Sequence, residues 1–297
     1  MTTSPPIRWR RIVVILLVTT LVLIVALPFA IGYALMAGLT ISGCDADNDP
    51  SAYGMAREDI TFRSSEFNGG YAGYYISGTR PATMIVVPTL RGGRGDRMDE
   101  IRIYHAAGYN VLTYRARTCF GAAHSLGYLE VTAVGDALAY LRRRGDIDMA
   151  RVGVHGFSAG GATALMALAR YDDLRTAVAH GGYHDFHDLL GSAALELGAL
   201  SSIFDGGMRL AYRVATGEDI TVLNPIGGVR ASAPRPVLLV YGSTEVSLGG
   251  AQQMQAVDPE RVRLWVVPGA GHGDYVATVG AEAYTAEVVG FLEGMFE

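Results

Sequence analysis

The chain has 297 residues, half of them hydrophobic and 18% charged, with a formal net charge of -5. That length can bury a substantial core, and the acidic balance argues against the excess of positive charge a nucleic-acid-binding surface needs, so no nucleic-acid partner is expected. All 24 basic side chains are arginine, and two cysteines, Cys44 and Cys119, are too few for a disulfide scaffold or a four-thiolate metal site.

Arg8, Arg10 and Arg11 precede an uncharged, largely apolar run over residues 12–43. This exceeds the roughly 20 residues that span a bilayer core and the roughly 7–15 apolar residues of a secretory signal. Basic residues on the near side alone predict a cytoplasmic N-terminus and export of the rest, so the expected location is membrane-anchored with the catalytic domain extracytoplasmic. Ile41-Ser42-Gly43-Cys44 is also similar to a bacterial lipobox, which would make Cys44 a lipidated residue. Residues 1–44 are therefore read as a cytoplasmic stub and transmembrane anchor, or as a lipoprotein signal. The polar turn formers Asp45 to Ser51 open a linker over 45–58.

From residue 59 to 297 short β-type runs alternate with amphipathic helical patterns. Strands are expected at 60–63, 71–76, 83–87, 110–114, 151–155, 176–179, 237–241 and 262–267, and helices at 97–107, 133–143, 159–170, 248–256 and 281–296. Continuous apolar runs such as Val237-Leu238-Leu239-Val240 suit strands covered on both faces. The alternation predicts a doubly wound, mostly parallel, eight-stranded α/β sheet.

The chemistry is carried first by Gly156-Phe157-Ser158-Ala159-Gly160, between an expected strand and an expected helix. A serine on a sharp strand-to-helix turn needs small neighbours two residues away. The N–H of Ala159, at the head of the helix, then faces a developing oxyanion. A serine hydroxyl needs a base, and the base needs an orienting acid. On such a sheet the order is serine, acid, histidine. Glu245 follows the strand ending at Tyr241, and His272 lies in Pro268-Gly269-Ala270-Gly271-His272-Gly273 after the last strand. Asp205 and Asp274 are alternative acids.

Between strands six and seven, residues 183–233 exceed an ordinary connection and contain apolar helical stretches at 189–200 and 208–214, the pattern of a lid over an apolar pocket. The preceding patch His180-Gly181-Gly182-Tyr183-His184-Asp185-Phe186-His187-Asp188 reads as a polar rim of that pocket, with a metal site as the sharper alternative. Cys119 either pairs with Cys44 or stays buried beside a lipidated Cys44; the sequence leaves both open.

These motifs, with Ile60-Thr61-Phe62-Arg63-Ser64, Tyr128-Leu129-Glu130-Val131 and Ala233-Pro234-Arg235-Pro236-Val237, resemble the α/β-hydrolase superfamily. The likeness is greatest to bacterial esterase-like and serine-aminopeptidase-like enzymes with a prolyl-oligopeptidase-type core. The resemblance implies Ser158 as nucleophile, His272 as base, Glu245 as acid, and N–H groups of Ala159 and Leu90 as the oxyanion hole. Two departures stand out. Pro88-Thr89-Leu90 replaces the common His-Gly-X, and Glu245 stands where aspartate is usual. The expected activity is that of a serine hydrolase acting on a small-molecule carboxylic ester or related acyl compound. It would require no metal or organic cofactor. The rival readings are an amidase or peptidase on the same residues, and an inactive binding module of the same fold.

Overall fold

The computed structural model describes residues 7–41, 43–194, 198 and 200–296. Ser42 of the lipobox-like motif, the ends of the chain, and residues 195–197 and 199 of the expected 189–200 helix lie outside them. The first element is the helix α1 (Ile7–Leu39). Its residues 9–27 are exposed throughout, whereas from residue 28 onward one side is covered.

An eight-stranded sheet follows, in the order β1-β2-β4-β3-β5-β6-β7-β8. Strands β1 (Glu58–Arg63) and β2 (Gly70–Ile76) form an antiparallel edge. The parallel part comprises β3 (Thr83–Val87), β4 (Asn110–Tyr114), β5 (Val152–Phe157), β6 (Leu174–His180), β7 (Val237–Gly242) and β8 (Val262–Val267). The alternation of side chains across a strand sends Ile85, Val87, Val154 and Leu239 to one core, and Met84, Val86, Val178 and Leu238 to the other. The first core is closed by α3 (Glu130–Arg144), α4 (Ala159–Arg170) and α8 (Leu248–Gln255), the second by α2 (Met98–Ala106) and α9 (Tyr275–Glu293). The expected fold is thus found, with all eight strands in place.

Several helix boundaries differ from the sequence reading; α3, for example, begins three residues before the expected 133. The last helix begins at Tyr275 and kinks at Gly280 (φ 82°, ψ 156°), so the run expected from residue 281 is its second segment. Between β6 and β7 the chain forms α5 (Phe186–Ala194), α6 (Ser201–Thr216) and α7 (Pro225–Ala231).

The segment after α1 is held against the sheet domain. Cys44 and Cys119 form a disulfide, so the Cys44 thiol is not available for the lipid that the lipobox-like motif suggested. The N–H of Asp45 donates to the Arg91 carbonyl at 2.7 Å, and that of Asn48 to the Arg94 carbonyl at 2.8 Å. Asp47 accepts from both Arg94 and Arg115; burial opposes its ionisation, but these guanidinium contacts hold its carboxyl far below the usual range.

Candidate active site

Ser158 stands between β5 and α4 with φ 56° and ψ -121°, a backbone state costly for any residue with a Cβ. The turn is possible because a Cβ on Gly156 would lie 2.0 Å from the Gly160 carbonyl oxygen, a separation that only glycine relieves. The Ser158 N–H donates to the His180 carbonyl at 2.7 Å, which ties the turn to the end of β6.

His272 comes from the loop between β8 and α9. Its Nε2 lies 3.1 Å from the Ser158 Oγ and its Nδ1 lies 2.9 Å from a carboxylate oxygen of Glu245. The imidazole side chain is 50% exposed, whereas that of Glu245 is 1% exposed. The geometry needs Nδ1–H toward Glu245 and a free Nε2 lone pair toward Ser158. The other oxygen of Glu245 accepts the N–H of Gly242 at 2.6 Å and the Tyr275 hydroxyl. Burial alone would raise the Glu245 pKa, but the hydrogen bonds from His272, Tyr275 and Gly242 outweigh it and hold the carboxyl below its ordinary value. The alternative acids are engaged elsewhere. Asp205 pairs with Arg209 at 2.6 Å, and Asp274 accepts the N–H of Gly271 at 2.9 Å.

Ala159 is the first residue of α4, where an N–H has no partner within its own helix. Leu90 lies in the turn after β3. There the N–H of Thr89 donates to Asp96 at 2.9 Å and that of Gly92 to the Thr89 carbonyl at 3.2 Å. Asp96 thus shapes a loop that lacks the His-Gly pair. Ala159 and Leu90 line the same cavity as Ser158 and His272.

That cavity measures about 450 Å³ and is walled by Leu39, Leu90, Leu126, Tyr183, Phe186 and Leu189. A larger groove of about 780 Å³ between α2 and α9 contains neither Ser158 nor His272, so size does not select the site. The His/Asp patch is distributed differently from the sequence expectation of a polar rim. His180 is fully buried, its Nε2 3.0 Å from the Tyr284 hydroxyl, and the residues of this patch that reach the cavity are the aromatics Tyr183 and Phe186. The patch straddles the end of a strand, so its members diverge. Asp185, His187 and Asp188 remain grouped with their ligand atoms within 4.8 Å of one another.

Three contributors were not read from the sequence. Tyr275 buttresses Glu245 from the head of α9; its position three residues after His272 is the only sequence signal. Gly181 (φ 57°) leaves room for the histidine, because a Cβ there would meet the His272 ring at 2.9 Å. Leu39 reaches the cavity from the end of α1, a contact no local pattern announces.

A sequence profile of the prolyl oligopeptidase family matches residues 122–297. Among solved structures, an esterase of Pyrococcus furiosus superposes with a TM-score of 0.68 at 18% identity, covering 87% of this chain and 99% of the esterase. An acylaminoacyl peptidase of Pyrococcus horikoshii gives 0.62 at 15% identity, covering 84% of this chain but 44% of the peptidase. A puromycin-hydrolysing peptidase of Mycobacterium tuberculosis gives 0.63 at 17% identity, covering 84% and 41% respectively. No match is found among curated protein sequences.

Proposed function

The chain belongs to the prolyl oligopeptidase family, within the α/β-hydrolase fold, and we propose that it is a serine hydrolase that cleaves carboxylic esters through an acyl-enzyme on Ser158. The observation that carries this reading is the continuous hydrogen-bonded line from Ser158 through His272 to the buried Glu245, opening on an apolar cavity. Ser158 Oγ attacks the ester carbonyl carbon while its proton passes to His272 Nε2. The Glu245 carboxylate stabilises the imidazolium, and the N–H groups of Ala159 and Leu90 receive the negative charge on the carbonyl oxygen. Collapse of the tetrahedral intermediate breaks the bond to the leaving alkoxide, which takes the proton from His272. Water then attacks the acyl-enzyme with His272 as base, releasing the acid and restoring the Ser158 hydroxyl.

The cavity favours an ester over an aminoacyl substrate with a free amino group. Among the described lining residues Glu245 is the one acid, and it is committed to His272, Tyr275 and Gly242, so none remains to bind a substrate amino group. The peptidases among the structural relatives keep amide cleavage as the second reading. Phe186 and Leu189 on α5 support a lid role for the 183–233 insertion. The domain is membrane-anchored and extracytoplasmic in this reading. The arginines in the first turns of α1, ahead of its apolar run, support that orientation, and so does the Cys44–Cys119 bond, which persists in oxidising compartments. A panel of p-nitrophenyl esters beside aminoacyl p-nitroanilides tests the substrate class. Ester turnover should exceed anilide turnover by at least tenfold in kcat/KM; the reverse order assigns the site to the amidase reading.

A further inference from the structure

The exposed part of α1, residues 9–27, is about 28 Å long at 1.5 Å per residue, close to the roughly 30 Å of a bilayer hydrocarbon core. The helix does not end there. Its remaining turns lie on α6 at main-chain contact: a Cβ on Gly32 would sit 2.2 Å from the Phe204 carbonyl oxygen, and one on Gly207 would sit 2.1 Å from that of Phe29. Phe29 meets Gly207 while Gly32 meets Phe204, so the two helices run antiparallel. Small residues at the crossing permit this close approach. Met36 is fully buried in one cluster with Met208 and Tyr212. Beyond the helix, the Thr40 carbonyl accepts the His124 N–H at 3.1 Å, and Cys44 is bonded to Cys119. Leu39 is therefore fixed from both sides, and its side chain is a wall of the cavity that holds Ser158.

Leu39 is twelve residues, or about 18 Å of helix, beyond the exposed span. Apolar surface continues along this stretch at Ile31 and Leu35 of α1, each 51% exposed, and the antiparallel α6 presents Leu210 and Val214, 45% and 66% exposed, level with the end of the exposed span. Monomeric soluble proteins rarely show such continuous apolar surface, and membrane-contacting ones do. We infer that α1 is a working wall of the acyl pocket and not a simple tether, and that the substrate is a long-chain acyl ester taken from the membrane, its chain lying against Leu39. This rests on the serine-hydrolase reading and narrows its substrate class.

The test uses full-length protein in phosphatidylcholine vesicles and a dodecyl fluorophosphonate carrying a diazirine at the chain terminus. After reaction at Ser158 and irradiation, the cross-link should fall on the peptide spanning residues 33–40. Cross-links confined to other elements would overturn the inference while leaving the hydrolase reading intact. Failure of Ser158 to react would instead remove the hydrolase reading, and this one with it. A second measurement compares kcat/KM for dodecanoyl and butanoyl p-nitrophenyl esters. Leu39→Trp should lower that ratio at least tenfold, and Leu39→Met should recover most of it. An unchanged ratio in Leu39→Trp that still labels at Ser158 contradicts the pocket assignment.

Discussion

At the scale of single residues, the site depends on how Glu245 is held. A glutamate is one methylene longer than the aspartate usual at such positions. Here the extra reach is controlled by anchoring one oxygen on Gly242 and Tyr275 while the other meets His272. Glu245→Gln keeps the size, removes the charge that supports the imidazolium, and favours the wrong histidine tautomer. The expected fall in kcat is roughly a hundredfold or more, with a smaller change in KM. Tyr275→Phe leaves the charge in place and removes one support, so its loss should stay within about tenfold. Steady-state kinetics on one ester checks both; near-normal kcat for Glu245→Gln would remove Glu245 from the catalytic line. Ser158, His272 and Glu245 were legible because each follows a strand in the order to which this fold restricts such residues. Tyr275 and Gly181 were not, since a tyrosine at a helix start and a glycine after a strand have many commoner uses.

At the scale of elements, the segment between α1 and β1 braces the loop that carries Leu90. Asp45 bonds to the Arg91 carbonyl, the Thr118 hydroxyl donates to the Leu90 carbonyl at 3.0 Å, and the neighbouring Cys119 is bonded to Cys44. This bracing, together with Asp96, stands where a His-Gly pair is common. Replacing both cysteines by serine should therefore act twice. The bond closes a loop of sequence separation 75, for which chain entropy gives up to about 4.5 kcal/mol of stability, with about 2–4 typical. Catalysis should fall several-fold, short of the hundredfold or more that follows outright loss of an oxyanion donor. Thermal unfolding and ester turnover measured on the same sample check this; an unchanged kcat would show that the loop holds its shape unaided. The strands and core helices were legible because period and apolar runs are local signals. The contact between α1 and α6 was not, because Gly32 and Gly207 matter only once two distant helices meet.

At the scale of the whole molecule, one apolar helix, a disulfide-pinned connection and an α/β-hydrolase sheet converge on one cavity. Sequence reading placed the helix and the catalytic domain on either side of a linker. It showed that the apolar run is longer than a bilayer requires, but had no means of showing that the excess packs on α6 and reaches the site. Pro28 stands where the fully exposed part of α1 gives way to protein contact, but a proline within an apolar run does not by itself say which distant helix covers the turns that follow. The fold class followed from alternation and apolar runs; the packing of the apolar helix onto the hydrolase-fold domain follows only from tertiary contacts. The central claim is that Ser158 is the nucleophile of a working hydrolase. Active-site labelling tests it most directly. Full-length protein in vesicles is treated with a fluorophosphonate, and the modified peptide is identified by mass spectrometry beside the Ser158→Ala variant. The account predicts a single stoichiometric adduct on Ser158 and none in the variant. An unlabelled wild type, or equal labelling of Ser158→Ala, would contradict it.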